Sequence, residues 1–208
     1  MSDPEFSLED VARYWDDNAA AWAREVRQGH DVAREFLNNP AFLELVGDLR
    51  GKQVLDAGCG EGHNTRILAR RGACLTGVDI SERMIALALE EERREPLGIQ
   101  YARTSYADLG MFPSGSFDAV VSFMALMDGP RFDLAMRESF RVLRPGGLLV
   151  FSITHLCLIT NGLLGAGFVL KRIEEPRPSE EYCQAHPSKR GWRDHAALFL
   201  YFRAEKPA

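Results

Sequence analysis

The four cysteines, Cys59, Cys74, Cys157 and Cys183, form no CxxC pair and no cluster with histidine. That spacing argues against a disulfide frame and against a zinc site, and it suits reduced thiols in a cytoplasmic protein. Positive charge is also short. A formal net charge of −5 argues against nucleic acid as the main partner, since phosphate binding needs a basic footprint, though it does not exclude a local basic patch. The stretch "LCLITNGLLGAGFVL" is interrupted by Thr, Asn and three glycines and is too short and weak for a membrane span. The opening residues "MSDPEFSLED" are acidic and polar, unlike a secretory signal. There is no GxxxxGK[ST] phosphate loop, no internal repeat and no low-complexity tract.

What is present is alternation. After a helical start over residues 8–28 and a second helical stretch over 32–47, interrupted near Asn38, Asn39 and Pro40, strands and helices take turns. "KQVLDAG" reads as a buried strand, and "HNTRILARRG" as a helix closed by Gly72. "CLTGVDI" is the second strand. Ser81 caps "ERMIALALEEERRE", whose Met84, Ile85, Leu87, Ala88 and Leu89 make a broad apolar face. "IQYART" and "FDAVVSF" follow as strands. "PRFDLAMRESFRVLRPGG" is a helix and a turn, and "LLVFSITH" is the fifth strand. A short helix over 160–166 and two closing strands, "FVLKRIEEP" and "HAALFLYFRAE", complete the pattern. With 208 residues this predicts one α/β domain. Its core is a Rossmann-like doubly wound sheet of about seven strands, mostly parallel with an antiparallel last strand. Ligands of such sheets bind at the carboxyl ends of the strands, where "VLDAGCGEG" (54–62) lies.

The glycines at 58, 60 and 62 read GxGxG. A dinucleotide fingerprint wants a further glycine where His63 stands, so a pyrophosphate ligand is disfavoured. Asp56, just before the glycines, suits a cation better than a phosphate. Asp79 closes the second strand 21 positions after Gly58, where an acid accepts from ribose hydroxyls. By itself it does not separate NAD from another adenosine ligand. Asp108 follows the third strand and can accept from an exocyclic amine. Three carboxylates at three strand ends describe a cationic adenosine ligand.

Here the chain resembles the class I S-adenosylmethionine-dependent methyltransferases, of small-molecule type. The resemblance rests on "VLDAGCGEG" (54–62), "GVDIS" (77–81), "ADLGMFPSGSFDAVVS" (107–122) and "RVLRPGGLLVFSITH" (141–155), with "YWDDNAAAW" (14–22) before them. It implies S-adenosyl-L-methionine as cofactor, S-adenosyl-L-homocysteine as product, and in-line methyl transfer to a small-molecule acceptor. Ala57, Gly58 and Gly60 would face the methionine part. Asp79 would take the ribose hydroxyls, Ile80 would pack on the adenine, and Asp108 and the Leu109 backbone would serve the ring. Phe123 and Met124 would lie beside the sulfonium. Residues 1–48, with Tyr14, Trp15 and Trp22, resemble a helical lid over a cofactor-binding core, 49–208, and Arg24 is a candidate for the cofactor carboxylate.

Several residues have plainer readings. Asp56 could be a structural acid, the tryptophans could be core, and Cys59 is expected only to pack. Glu61 and His63 read as a helix N-terminal acid and an exposed imidazole. Asp128 could cap a turn or serve the acceptor. His155 is a candidate general base, or a hydrogen-bonded structural histidine. No metal is expected, and the protein should be a monomer or homodimer. The long insertion that such relatives carry after the fifth strand is missing here, so either the acceptor site is unusually open or a mobile insertion is absent from this version of the chain. The alternatives are a non-catalytic cofactor-binding protein, or a methyltransferase acting on protein or nucleic acid.

Overall fold

A computed structural model of the chain describes residues 7–32, 34–153, 163, 165–174, 180–185 and 200–207. The first element, α1 (Leu8–Arg27), begins at a reciprocal cap. The Ser7 hydroxyl accepts from the Asp10 amide, and the Asp10 carboxylate accepts from the Ser7 amide. The second helical stretch is interrupted as its sequence suggests. Arg34–Asn38 form a π-helical turn, and α2 (Asn39–Val46) restarts with Pro40 in its first turn, where a missing N–H costs nothing.

Seven strands follow in one sheet: β1 (Gln53–Ala57), β2 (Cys74–Asp79), β3 (Gln100–Arg103), β4 (Phe117–Phe123), β5 (Leu143–Ile153), β6 (Val169–Glu174) and β7 (Leu200–Glu205). Their order is β3-β2-β1-β4-β5-β7-β6. The first five run parallel, and β7 lies antiparallel to both β5 and β6, which bears out the expected mixed sheet. Helices α3 (His63–Arg70), α4 (Glu82–Arg94) and α5 (Phe132–Val142) connect them, and α6 (Glu180–Ala185) precedes β7. Gly72 ends α3 as expected, through the paired bonds of Gly72 N–H to Ala69 and Ala73 N–H to Leu68. The turn expected at "RPGG" is instead taken into β5, which begins at Leu143 directly after α5; Leu143 pairs with Phe117 before the register shifts at a bulge.

The central strands are apolar on both faces because both are covered. Neighbouring residues point to opposite sides: Leu55, Val120, Phe151 and Phe202 into one core, Val54, Val121, Val150 and Tyr201 into the other. Phe42 of α2 fills the second core. It is fully buried, with its ring 3.7 Å from that of Phe123 and 6.0 Å from that of Tyr201. The Tyr201 hydroxyl donates to Asn38 (2.9 Å to Oδ1), which pins the end of the π-helical turn to the sheet. Helix α1 is tied to α4 and the glycine loop. Asp16 accepts from the Ser81 hydroxyl (2.6 Å) and the Arg83 amide (3.0 Å), and Arg27 pairs with Glu61 and Glu91.

Phe42→Ala should cost about 3–5 kcal/mol of stability, since the ring has no route to water and the cavity cannot collapse onto a sheet. Urea unfolding measures this; a loss below about 1 kcal/mol would contradict the anchoring role.

Candidate functional site

Parallel register sets the site. Asp56 sits beside Gly77, and Ala57 beside Val78, so the chain leaving β1 emerges next to the end of β2. There the amides of Gly58 and Cys59 both donate to the Val78 carbonyl at 2.9 Å. The Gly60 amide then donates to Asp79 Oδ2 at 2.8 Å, and the Ser81 amide to Asp79 Oδ1 at 2.9 Å. Each carboxylate oxygen keeps a lone pair for a ligand donor, the arrangement a vicinal diol needs. Burial holds the Asp79 carboxyl above its ordinary range despite these bonds.

Two of the glycines serve different ends. Gly58 has φ +82°, and a Cβ there would stand 2.3 Å from the Ala125 side chain, so the protein itself occupies that space. Gly60 has φ +56° and faces nothing within 4 Å. It is the place where a ligand can approach backbone closely.

A cavity of about 640 Å³ opens over this loop. Tyr14, Trp22, Asp56, Gly58, Gly60, Asp79, Ile80, Phe123 and Met124 all line it, which brings together most of the residues expected from sequence. Met124 has φ +55°, rare for a residue with a side chain, and its amide is held by Ser152. Ala57 is buried behind the loop, its carbonyl accepting from Ser122 at 2.6 Å. Asp108 and Leu109 are not part of the cavity wall. Asp108 is exposed in a turn, and the Leu109 amide is already bonded to Glu138 at 2.9 Å. His155 lies outside the described residues.

The cavity holds residues that sequence reasoning missed. Arg34, on the π-helical turn, reaches into it beneath Trp22, 5.7 Å from the ring centroid. Burial works against its charge, but Asp31, Glu61, Glu35 and Asp56 favour it, and a guanidinium stays protonated. Arg24, the sequence candidate, is instead exposed beside Glu25. His63 is half-buried rather than exposed. Burial and the nearby arginines, Arg34 first, hold it down to about 4, so it is neutral at pH 7 and its 3.5 Å approach to Glu35 is no ion pair. Tyr106 and Asn64 also line the wall, beside Met127 and Asp128, and Asp128 was already a candidate for serving the acceptor. Their spacing carries no periodic signal; only the fold collects them.

One region of the wall is buried and polar with bonds left unmade. Asp56 accepts from Thr65 at 2.6 Å through one oxygen, while its other oxygen has no partner. Arg34 Nε and both side-chain polar atoms of Asn64 are also unpartnered. Buried polar groups are rarely left so without a ligand or water. An acid and a guanidinium in one cavity fit the ammonium and carboxylate of an amino acid, and Asp79 fits a ribose. This donor set matches S-adenosylmethionine. Among the described residues no cluster of His, Cys, Asp or Glu is placed to hold a metal ion, and no helix is long and apolar enough to cross a membrane.

Comparison with known proteins agrees. Residues 55–151 match the family model described as a methyltransferase domain. The ubiquinone biosynthesis O-methyltransferase of Hahella chejuensis is 31% identical, over 84% of this chain and 71% of that protein. The enzyme of the same name from Chromobacterium violaceum is 29% identical, over 90% and 78%. An S-adenosylmethionine dependent methyltransferase from Mesorhizobium loti superposes with a TM-score of 0.73 at 25% identity, over 80% of this chain and 96% of that one. The [4+2]-cyclase SpnF superposes with a TM-score of 0.64 at 24% identity, over 82% and 81%.

Asp56 gives a test of the polar wall. Burial, with the charge of Asp79 beside it, pushes its carboxyl up to about 6 from an ordinary 3.8, outweighing the Thr65 bond. A raised carboxyl favours the folded state fully below about pH 4 and loses that advantage as pH rises through about 6. Asp56→Asn, which keeps an acceptor for Thr65, should therefore match wild type near pH 4 and exceed it at pH 8 by up to about 3 kcal/mol without ligand. Urea unfolding across pH measures the difference; one that does not grow with pH would contradict the assignment.

Proposed function

Because the chain belongs to the S-adenosyl-L-methionine-dependent methyltransferases, we propose that it methylates a hydroxyl oxygen of a small molecule. The cofactor and the methyl transfer follow from the family. The small acceptor and the oxygen are supported by relatives that are O-methyltransferases and align over most of both chains. The observation that carries the reading is the convergence of Asp56, Asp79 and Arg34 on one cavity beside the open backbone of Gly60.

Bound S-adenosyl-L-methionine supplies a methyl group on a positively charged sulfur and leaves as S-adenosyl-L-homocysteine. The chain's residues bind and orient it. Asp79 holds the ribose hydroxyls, Ile80 covers the adenine face, Asp56 takes the ammonium and Arg34 the carboxylate. Phe123 and Met124 exclude water where the methyl group is exchanged, so that approach geometry supplies most of the rate. Residues 1–48 act as a lid over a core of 49–208, with Tyr14, Trp15 and Trp22 closing the mouth. The three described cysteines are free, which supports a reducing, cytoplasmic setting.

S-adenosylhomocysteine binding, followed by calorimetry, tests the assignments. Asp79→Ala and Arg34→Ala should each weaken it about 10- to 100-fold, as expected for bonds to charged groups. Unchanged affinity in either variant removes that residue from the site. Radiolabelled methyl transfer should reach small hydroxyl compounds; labelling of protein or nucleic acid alone would overturn the acceptor class.

A further inference from the structure

Of the five carboxylates that line the cavity, Asp56 and Asp79 serve the cofactor, Glu61 pairs with Arg27 and Asp31 accepts from the Arg34 amide, which leaves Asp128 over. Asp128 lies in the turn between β4 and α5 and lines the same space as Met124 and Met127. Its amide donates to the Ala125 carbonyl at 3.0 Å, which closes the turn, yet its side chain makes no hydrogen bond or ion pair among the described residues. The neighbours of Asp128 are shaped to leave it there. Ala125 abuts Gly58, where a Cβ would come within 2.3 Å of the Ala125 Cβ. At Gly129 a Cβ would meet the Tyr106 hydroxyl at 2.2 Å. The small residues on either side thus pack against the glycine loop and Tyr106, and Asp128 remains on the cavity wall. Turn capping does not explain the side chain, since it caps nothing.

The charge of the wall limits what Asp128 can meet. Among the described residues lining the cavity, Arg34 is the only one positively charged at pH 7, and four carboxylates already face it. Beyond Arg34, an anionic acceptor would find no countercharge on the described residues of the wall. Tyr14, Trp15, Phe123, Met124 and Met127 offer apolar and aromatic surface. A neutral aromatic hydroxyl compound fits both facts.

Resting on the O-methyl reading above, we propose that Asp128 is the general base that receives the acceptor's hydroxyl proton. The acceptor oxygen forms the new C–O bond as the methyl C–S bond breaks, with its electron pair going to sulfur. The O–H proton passes to the Asp128 carboxylate and from there to solvent. Asp79 and Tyr106 are the titratable groups whose charge or burial couples to Asp128, while Asp56, Glu61, His63 and Arg34 share the cavity. Burial first, then the charge of Asp79, pushes the Asp128 carboxyl up to about 6. It is therefore ionised and able to accept a proton at pH 7, and loses that ability as pH falls through about 6.

The test uses the full chain with catechol as probe, and benzoate and benzylamine as anionic and cationic controls of similar size. With S-adenosylhomocysteine bound, calorimetry should show catechol binding, no benzoate binding, and at least tenfold weaker catechol binding in Asp128→Asn. At saturating S-adenosylmethionine, Asp128→Asn should lower kcat for catechol about 100- to 1,000-fold and abolish the acid limb near pH 6. Affinity for S-adenosylhomocysteine should stay within twofold, and added formate should restore part of the turnover of Asp128→Ala. Unchanged catechol affinity in Asp128→Asn, or a kcat within threefold of wild type with the same pH profile, overturns the role of Asp128. Preference for benzoate or benzylamine overturns the neutral acceptor. A wild-type protein that binds the cofactor and binds catechol through Asp128 but transfers methyl only to nitrogen acceptors overturns the O-methyl reading and the hydroxyl-proton role with it, and leaves Asp128 only as a group that binds the acceptor.

Discussion

The bond from the Gly60 amide to the Asp79 carboxylate is the contact on which the site depends. It ties the loop after β1 to the end of β2, and so fixes how near the Gly60 backbone lies to the Asp79 carboxylate. The loop follows that path only because Gly58 and Gly60 adopt positive φ and because Ala125 is small enough to lie against Gly58. Everything else at the carboxyl edge is arranged around this join. Asp56 lies beneath it, Ile80 and Ser81 beside it, and the β4–α5 turn across from it. The same bonds leave Asp79 with acceptor capacity on both oxygens, so the structural tie and the ligand site use one carboxylate without competing.

A second layer of control comes from outside the sheet. The π-helical turn carries Arg34 into the cavity and is itself pinned by Tyr201 through Asn38. Helix α1 is fastened by Asp16 to the start of α4 and by Arg27 to Glu61. The polar wall and the aromatic mouth are thus held by contacts with the same elements that make the core. A cyclase shares this fold, so the sheet alone does not dictate methyl transfer. Asp56, Arg34, the Asp79 carboxylate and the apolar surface near Met124 give this particular cavity its chemical character.

Much of this was legible in the sequence, for local reasons. Strand ends, the GxGxG spacing and the acids at 56 and 79 lie on regular elements whose register follows from period and topology, and each lines or underlies the cavity. Asp108 lies off the cavity wall because a residue in a turn is aimed by the turn: here its carboxylate accepts from the Gly110 amide, and Glu138 takes the Leu109 amide. Arg34 lines the cavity while the candidate Arg24 is exposed, and Arg34 was not legible because it opens a π-helical turn, where a 3.6-residue period does not hold. Tyr106 had no signal, and Asp128 had only its place after the fourth strand, which left turn capping and a role toward the acceptor both open. Their exposure to the cavity depends on Gly58 meeting Ala125 and Gly129 meeting Tyr106, a tertiary coincidence that composition and spacing do not record.

A structure with S-adenosylhomocysteine bound tests the central claim most directly. The account places the ribose hydroxyls on Asp79, the ammonium at the free oxygen of Asp56, the carboxylate at Arg34, and the sulfur facing Met124 and Asp128. A ligand bound in the reverse sense, with its adenine at Arg34 or its ribose away from Asp79, would contradict it.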